Sequence, residues 1–168
     1  MRNIIACLII PIIITNNNSY TMNNNDYSLF GDIFKDMEND LNISLLEGKI
    51  EEKKKYINKS FARIGCAYKS KINVSIKTFV DTVLKPLLND KNIASELSSV
   101  DLQSKGYATK TYQYMININK NYEVIANNND FIEQLQYILI AKNELIDLNQ
   151  KLSNLKKESN DLKEKLYS

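Results

Sequence analysis

The chain has 168 residues, a formal net charge of +2 and no histidine, and its length is that of one ordinary domain. Without histidine there is no Ser-His-Asp triad, no Cys-His dyad and no imidazole metal ligand, and the low net charge gives no whole-protein argument for nucleic acid. Four glycines and two prolines are too few for a fold built on many tight turns, so long helices are expected.

Residues 1–25 are predicted to be an export signal followed by a polar tether. Arg2 precedes the apolar run Ile4–Ile14, which is too short for a spanning helix of about 20 residues but typical of a signal peptide. The polar run Thr15–Asp26 then separates it from the first amphipathic pattern. An export signal is therefore favoured over the alternative, a first core element of the domain.

Cys7 is a candidate acylation site because Ile4–Cys7 has the composition of a lipobox. Its position differs from that pattern, since most of the apolar run follows the cysteine, so cleavage near Thr15 or Ser19 is the alternative. Acylation predicts the cell surface or outer membrane, and cleavage predicts the periplasm or secretion. In both cases Cys66 lacks an internal disulfide partner, and its helical pattern predicts a small buried hydrophobe.

Residues 26–168 are predicted to form an all-α, single-domain bundle of four to five helices with a long C-terminal helix. The first amphipathic pattern predicts a helix over Ser28–Glu47, with Gly48 as its C-terminal stop. The apolar face of this helix consists of Leu29, Phe30, Ile33, Phe34, Met37, Leu41 and Leu45.

The apolar pattern over residues 49–89 is compatible with one long helix or with two helices broken near Gly65–Ser70. Pro86 lies inside this pattern and is predicted to kink or end the helix. A turn is expected at Asn89–Asn92, followed by a short helix over Ile93–Gln103.

A further helix is predicted over Ala108–Ala126, although Met115–Asn119 also alternates in the manner of a strand. Tyr107 and Tyr114 fall off the inward face of this helix and are candidate interface residues, because tyrosine adds contact area at low entropic cost.

The strongest predicted helix runs from Asp130 to Leu166. Asp130 and Glu133 have the spacing of a capping box, and the leucines that follow approximate a heptad that Ser159 interrupts. The half up to Leu152 is expected to face the core, and Lys156–Lys165 to project as a coiled-coil arm or to fray. Residues 131–166 are therefore a candidate oligomerisation element.

Charge is unevenly distributed along the chain. Residues 26–47 contain six acids and one lysine, a net charge of −5, whereas residues 49–85 contain nine lysines and one arginine against three acids, a net charge of +7. One interpretation is that the first two helices pack antiparallel and complement each other. The other is a cationic face for a sulfated glycan or anionic lipid. That face would consist of Lys53, Lys54, Lys55, Lys59, Arg63, Lys69 and Lys71.

Little catalytic chemistry is present in the sequence. There is no glycine-rich phosphate loop, and adjacent carboxylates on lysine-rich helices are usually solvated rather than paired for acid–base work. We expect no enzyme activity, no cofactor and no metal site.

The lipobox-like start, the polar tether and the lysine- and asparagine-rich helical remainder resemble the helical surface lipoproteins of Borrelia-type spirochaetes. The stretch Thr78–Asp90, which contains Lys85-Pro86-Leu87, is similar to a helix of the decorin-binding adhesins. The resemblance implies a host-facing role: adhesion to matrix or glycosaminoglycan, or capture of a complement regulator. The alternative is a structural or assembly protein that oligomerises through the C-terminal helix.

Overall fold

The computed structural model describes residues 24–100 and 108–167, with side chains over 29–100 and 108–166. The opening segment with Cys7, and Tyr107, lie outside these ranges. The helix predicted over Ile93–Gln103 ends earlier than predicted, at Ser99. Within the described ranges every regular element is a helix. The prediction of an all-α bundle with a long C-terminal helix is confirmed.

The first helix, α1, is continuous over 44 residues, Asn24–Ala67, so the prediction that Gly48 ends a helix is wrong. A glycine ends a helix when the chain turns into a left-handed conformation there. Gly48 is instead followed by Lys49-Ile50-Glu51, which continue a helix readily. An interior glycine costs only about 1 kcal/mol relative to alanine, which packing along α1 can offset.

The chain reverses after Ala67 through a 3₁₀ turn, Lys69–Lys71. This confirms the alternative in which residues 49–89 are broken near Gly65–Ser70. Gly65 is needed at this end of α1, because a Cβ built there would overlap the Cγ2 atom of Ile76. The element that begins at Ile76 therefore packs directly against the α1 backbone.

The next segment combines α2 (Ile76–Phe79), a π-helical turn (Val80–Leu84) and α3 (Lys85–Asn89). The π turn lies immediately before Pro86, whose ring clashes with the carbonyl four residues earlier in a regular helix. At this turn the Lys85 amide donates to the Val80 carbonyl. Pro86 is thus accommodated by a local widening, and the helix ends at Asn89.

Three shorter helices and one 3₁₀ turn follow: α4 (Lys91–Ser99), α5 (Thr109–Ile118), the turn (Lys120–Tyr122) and α6 (Glu123–Ala126). The predicted turn before α4 is reduced to Asp90, whose Oδ1 accepts from the amides of Asn92 and Ile93 at 2.8 and 3.1 Å. The strand alternative at Met115–Asn119 is wrong, because α5 continues to Ile118.

The C-terminal helix, α7, spans Asn129–Tyr167. The predicted capping box is wrong. The Asp130 amide donates to Oδ1 of Asn128 at 2.8 Å, and the Glu133 carboxylate accepts from the Tyr137 hydroxyl at 2.9 Å. The helix begins one residue earlier than predicted, so Asn128 takes the capping position.

The main core lies in a region that we call the body, where the last part of α1, the short helices and the first part of α7 meet. Two aromatic pairs pack edge to face in it, Tyr68 with Phe131 at 5.6 Å and Phe79 with Tyr122 at 5.4 Å between ring centroids. The largest fully buried side chains include Phe79, Phe131, Ile64, Leu84, Leu87, Leu97, Met115 and Ile125.

Beyond the body, α1 and α7 continue alone as an antiparallel pair, which we call the arm (residues 24–53 and 142–167). The Lys156–Lys165 segment, which the sequence predicts to project as an arm or to fray, lies beyond the body in the arm and is packed along the beginning of α1. Lys163 pairs with Asp40 and Lys156 pairs with Glu47. The arm is a two-helix structure that carries charge pairs along its length.

Candidate binding surface on helix α1

The charges of α1 are divided between α7 and solvent. Lys53 pairs with Glu144, and Glu47 accepts from Lys156 at 2.8 Å. Lys163 lies 2.9 Å from Asp40 and 3.6 Å from Asp36. The interpretation that the first two predicted helices pack against each other and complement each other is therefore wrong, because residues 26–47 and 49–67 belong to the same helix, α1, and several of their charges pair with α7.

Three cations of α1 face solvent in a line. Lys55, Lys59 and Arg63 are four residues apart, which places them on one side of a helix, and all three are exposed. Within the residues that the structure describes, none of the three forms an ion pair or a hydrogen bond. We call these three residues the basic line.

The other members of the predicted cationic face lie in different surroundings. Lys53 is engaged by α7, and Lys54 pairs with Glu51 at 2.7 Å one turn earlier, which lowers the pKa of Glu51 through the hydrogen bond and the charge of Lys54. Lys69 and Lys71 are exposed on the 3₁₀ turn that follows α1. Five of the seven predicted cations therefore remain unpaired surface charges.

The same side of α1 carries an apolar stripe nearer its N-terminus. The face that the sequence predicts to be a core face is exposed instead, with 36–58% of each side chain accessible to solvent. The apolar stripe consists of Leu29, Phe30, Ile33, Phe34, Met37, Leu41 and Leu45. Exposed apolar patches of this kind commonly mark interaction sites.

The side of α1 that meets α7 within the arm is partly polar. Asp36 accepts from the Ser159 hydroxyl at 3.3 Å, and Asn39 is buried with only 7% exposed. The Nδ2 group of Asn39 has no hydrogen-bond partner among the described residues. Ser159, the predicted interruption of the heptad, is thus matched by polar residues of α1.

A shallow groove of about 550 Å³ runs between α1 and α7 at the base of the arm. It is open to solvent and lined by Lys49, Glu52, Lys53, Tyr56, Glu144, Asp147, Leu148 and Lys151. Over the described ranges, no group of cysteine, aspartate and glutamate side chains is arranged to hold a metal ion. The groove is a charged cleft between helices, without a shaped apolar floor.

Tyr114 and Cys66 differ from their predicted surroundings. Tyr114 is half-buried against the core, and burial, assisted by the Asp90 charge, raises the pKa of its hydroxyl. It therefore offers less free surface than an interface tyrosine. Cys66 is exposed, not buried as predicted, because the neighbouring Gly65 takes the inward position against Ile76.

Several polar side chains join the helices in ways that the sequence pattern does not reveal. Glu96 accepts from the Lys110 and Thr111 amides at 2.8 and 3.0 Å, and so caps the N-terminus of α5. Lys142 donates to the Leu88 carbonyl at 2.9 Å, at the end of α3, and burial lowers its pKa. These partners are distant in sequence, so no local spacing indicates them.

No family model, no curated protein and no solved structure matches the chain. Among the helices of residues 24–100 and 108–167, none combines the length and the apolar character required to cross a membrane.

Proposed function

We propose that the protein is an exported, surface-exposed binding protein that recognises an anionic host macromolecule, such as a sulfated glycan, without catalysis. The observation that carries the proposal is the basic line, Lys55, Lys59 and Arg63, which faces solvent and forms no ion pair with a described residue. The charge of Lys55 acts on Glu51 one turn earlier, where it helps to lower the pKa of that carboxyl. Lys69 and Lys71 add exposed positive charge just beyond the end of α1.

A linear polyanion fits this arrangement for geometric and electrostatic reasons. At a rise of about 1.5 Å per residue, cations four residues apart lie about 6 Å from one another along the helix. A rigid helix holds them in a row, so successive anionic groups of an extended polymer can contact them together. Their side chains are already solvated, and no intramolecular ion pair with a described residue has to be broken.

Binding to immobilised heparin tests this proposal. The full chain should be retained at low salt and eluted as salt rises, because exposed charges are screened over about 10 Å at 0.1 M ionic strength. Replacing the basic line (Lys55→Gln, Lys59→Gln and Arg63→Gln) should move elution to distinctly lower salt. The matched control neutralises three exposed lysines on other elements (Lys91→Gln, Lys120→Gln and Lys157→Gln).

Two results would contradict the proposal. One is a failure of the wild-type chain to bind heparin at low salt. The other is equal weakening in the basic-line variant and in the control, because that result would reflect net charge and no particular surface. Circular dichroism should show that both variants keep their helix content.

Export is the second part of the proposal. It is supported by Arg2 and the apolar run Ile4–Ile14, and by the resemblance to spirochaetal surface lipoproteins that the lipobox-like Ile4–Cys7 and the polar tether carry. The intact mass of the native protein tests it. A mass increased by acyl chains on Cys7, or decreased by removal of the opening segment, supports export, and an unmodified full-length mass contradicts it.

The alternative, an assembly protein, gains support from one observation, the exposed apolar stripe on α1. The helix that would mediate assembly is then α1, and not α7, which the heptad indicates. Leu152, Leu155 and Leu162 of α7 are half-covered by α1 within the same chain. Assembly would therefore use the opposite side of α1.

A further inference from the structure

We propose that the apolar stripe is a self-association surface, on which two copies of this chain pack α1 against α1 in antiparallel orientation about Met37. This interface is independent of the anionic ligand, since it uses the first part of α1 and leaves the basic line free. The occupant of the stripe is thus a second copy.

The stripe leaves a large apolar area in water. Seven neighbouring large side chains with exposed fractions of 36–58% leave about 600 Å² of apolar surface per copy, at about 200 Å² for each side chain. Two copies would bury about 1,200 Å² together, the lower end of specific interfaces. By contrast, Val124 and Ile146, two other exposed apolar residues, lie on different helices, α6 and α7.

The spacing within the stripe is symmetric. Leu29, Ile33, Met37, Leu41 and Leu45 follow one another at intervals of four residues, so they form a single ridge on the helix. On a helix of 3.6 residues per turn these residues are rotated by about 40° from one to the next, so Met37 is the centre of the stripe and Leu29 and Leu45 are its two edges. In an antiparallel pair with its two-fold axis at Met37, the two Met37 side chains meet, and Ile33 and Leu41 of the two copies lie beside them. A two-fold interface requires this self-complementarity.

The α1–α7 contact of the arm is only partly apolar. It contains Asp36, Asn39 and Ser159 beside the half-buried Ile43 and Leu46, so most of the large apolar residues of the first part of α1 lie on the outer side. Isolated helices and helix pairs gain most of their stability from burying an apolar face. A second copy supplies the missing layer.

The charges around the stripe are compatible with two copies in contact. Residues 26–47 carry a net charge of −5, which by itself would repel a second arm. Lys163 is held against Asp36 and Asp40, and Lys156 against Glu47, so two lysines of α7 offset part of this negative charge within each arm. The same acidity opposes docking of the stripe on an anionic membrane.

The mass of the full chain in solution provides the first test. Light scattering after size exclusion should give a dimer at tens of micromolar protein, with dissociation on dilution, because the interface is at the lower end of the size range of specific interfaces. Met37→Lys places two like charges at the two-fold axis and should yield a monomer. Val124→Lys, at an exposed apolar residue outside the arm, is the matched control and should remain dimeric.

Disulfide trapping tests the orientation. In a background of Cys7→Ser and Cys66→Ser, Ile33→Cys and Leu41→Cys chains are oxidised separately and as a mixture. The antiparallel arrangement predicts efficient cross-linking only in the mixture. A parallel pair would instead cross-link each variant with itself.

Three outcomes would overturn the proposal. The first is a wild-type chain that stays monomeric at tens of micromolar. The second is a dimer that persists in Met37→Lys with unchanged helix content, since another surface would then hold it. The third concerns a Met37→Cys chain that is monomeric. If its thiol is protected from alkylation, the opening segment covers the stripe, and if the chain binds neutral lipid vesicles, a membrane does.

Discussion

The apolar stripe is exposed only if the opposite side of α1 faces α7. Asn39 lies on that opposite side, so a substitution there tests the orientation of α1. We predict that Asn39→Leu stabilises the protein. In the structure Asn39 is buried between the arm helices with its Nδ2 group unsatisfied, which is a position where leucine would fit the heptad of α7. Most core substitutions destabilise, so an increase in stability is a distinctive result.

The magnitude follows from the burial of Asn39. An unsatisfied buried donor costs about 1–3 kcal/mol, and a buried leucine in its place contributes a similar amount of apolar burial. Allowing for imperfect packing, we expect the free energy of unfolding to rise by about 2 kcal/mol. With a urea m-value of about 2 kcal/mol/M, the unfolding midpoint should rise by about 1 M.

Urea unfolding followed by circular dichroism measures this shift. Asn160→Leu is the matched control, because Asn160 is exposed on α7 and an exposed substitution should change stability by less than about 0.5 kcal/mol. An unchanged or lower midpoint for Asn39→Leu would refute the reasoning. It would mean that α1 is rotated, with Met37 and Leu41 facing α7.

Three further predictions concern the body. Glu96→Ala should lower the free energy of unfolding by about 2 kcal/mol, since it leaves the Lys110 and Thr111 amides of α5 without their charged acceptor, as measured by urea unfolding. Gly65→Ala should cost about 1–3 kcal/mol, because the added Cβ overlaps Ile76, and a lower thermal midpoint would report it. Burial, with a contribution from Asp130, raises the pKa of Tyr68 above its usual value of 10.0, so its contribution to stability is complete below about pH 10 and is lost as pH rises through its folded-state pKa. Tyr68→Phe keeps the ring against Phe131 and should reduce the loss of stability between pH 9 and pH 11, measured as the urea midpoint.

Each of these predictions has a contradicting result. A Glu96→Ala midpoint equal to wild type would show that water replaces the carboxylate at no cost. A Gly65→Ala variant as stable as wild type would mean that α2 moves freely away from α1. Parallel pH profiles for wild type and Tyr68→Phe would remove Tyr68 as a source of the alkaline loss.

The sequence predicts the helices of this protein well, because helix formation depends on local periodicity. The long apolar repeat of α7 and the disruption at Pro86 are readable from spacing and residue type, whereas the break after Ala67 is only one of two alternatives that the spacing allows. The ends are less predictable. Gly48 fails as a stop and Asp130 as a cap, because the outcome at each depends on whether neighbouring residues continue the helix in their tertiary setting.

The orientation of α1 shows a second limit of sequence interpretation. Periodicity identifies the apolar face of residues 29–45, but it does not indicate what packs against that face. The sequence-based expectation places it in the core, whereas the structure turns Asp36 and Asn39 toward α7. A polar inner contact matched to Ser159 is a property of two segments far apart in sequence.

The cationic residues could be predicted from the sequence, but their pairing could not. Lys53 and Lys54 are indistinguishable from Lys55 by composition, yet Lys53 is taken by Glu144, which is 91 positions away. Only helical geometry and tertiary packing separate the engaged lysines from the basic line. The binding surface is thus narrower than the charge count suggests.

The salt dependence of binding to a heparin oligosaccharide is the sharpest test of anion binding by the basic line. We predict that the logarithm of the dissociation constant rises linearly with the logarithm of salt concentration. We also predict that the slope falls by about two to three when Lys55, Lys59 and Arg63 are replaced by glutamine, as each lost ionic contact removes about one unit for polyanions such as DNA. An unchanged slope in that variant would contradict the account.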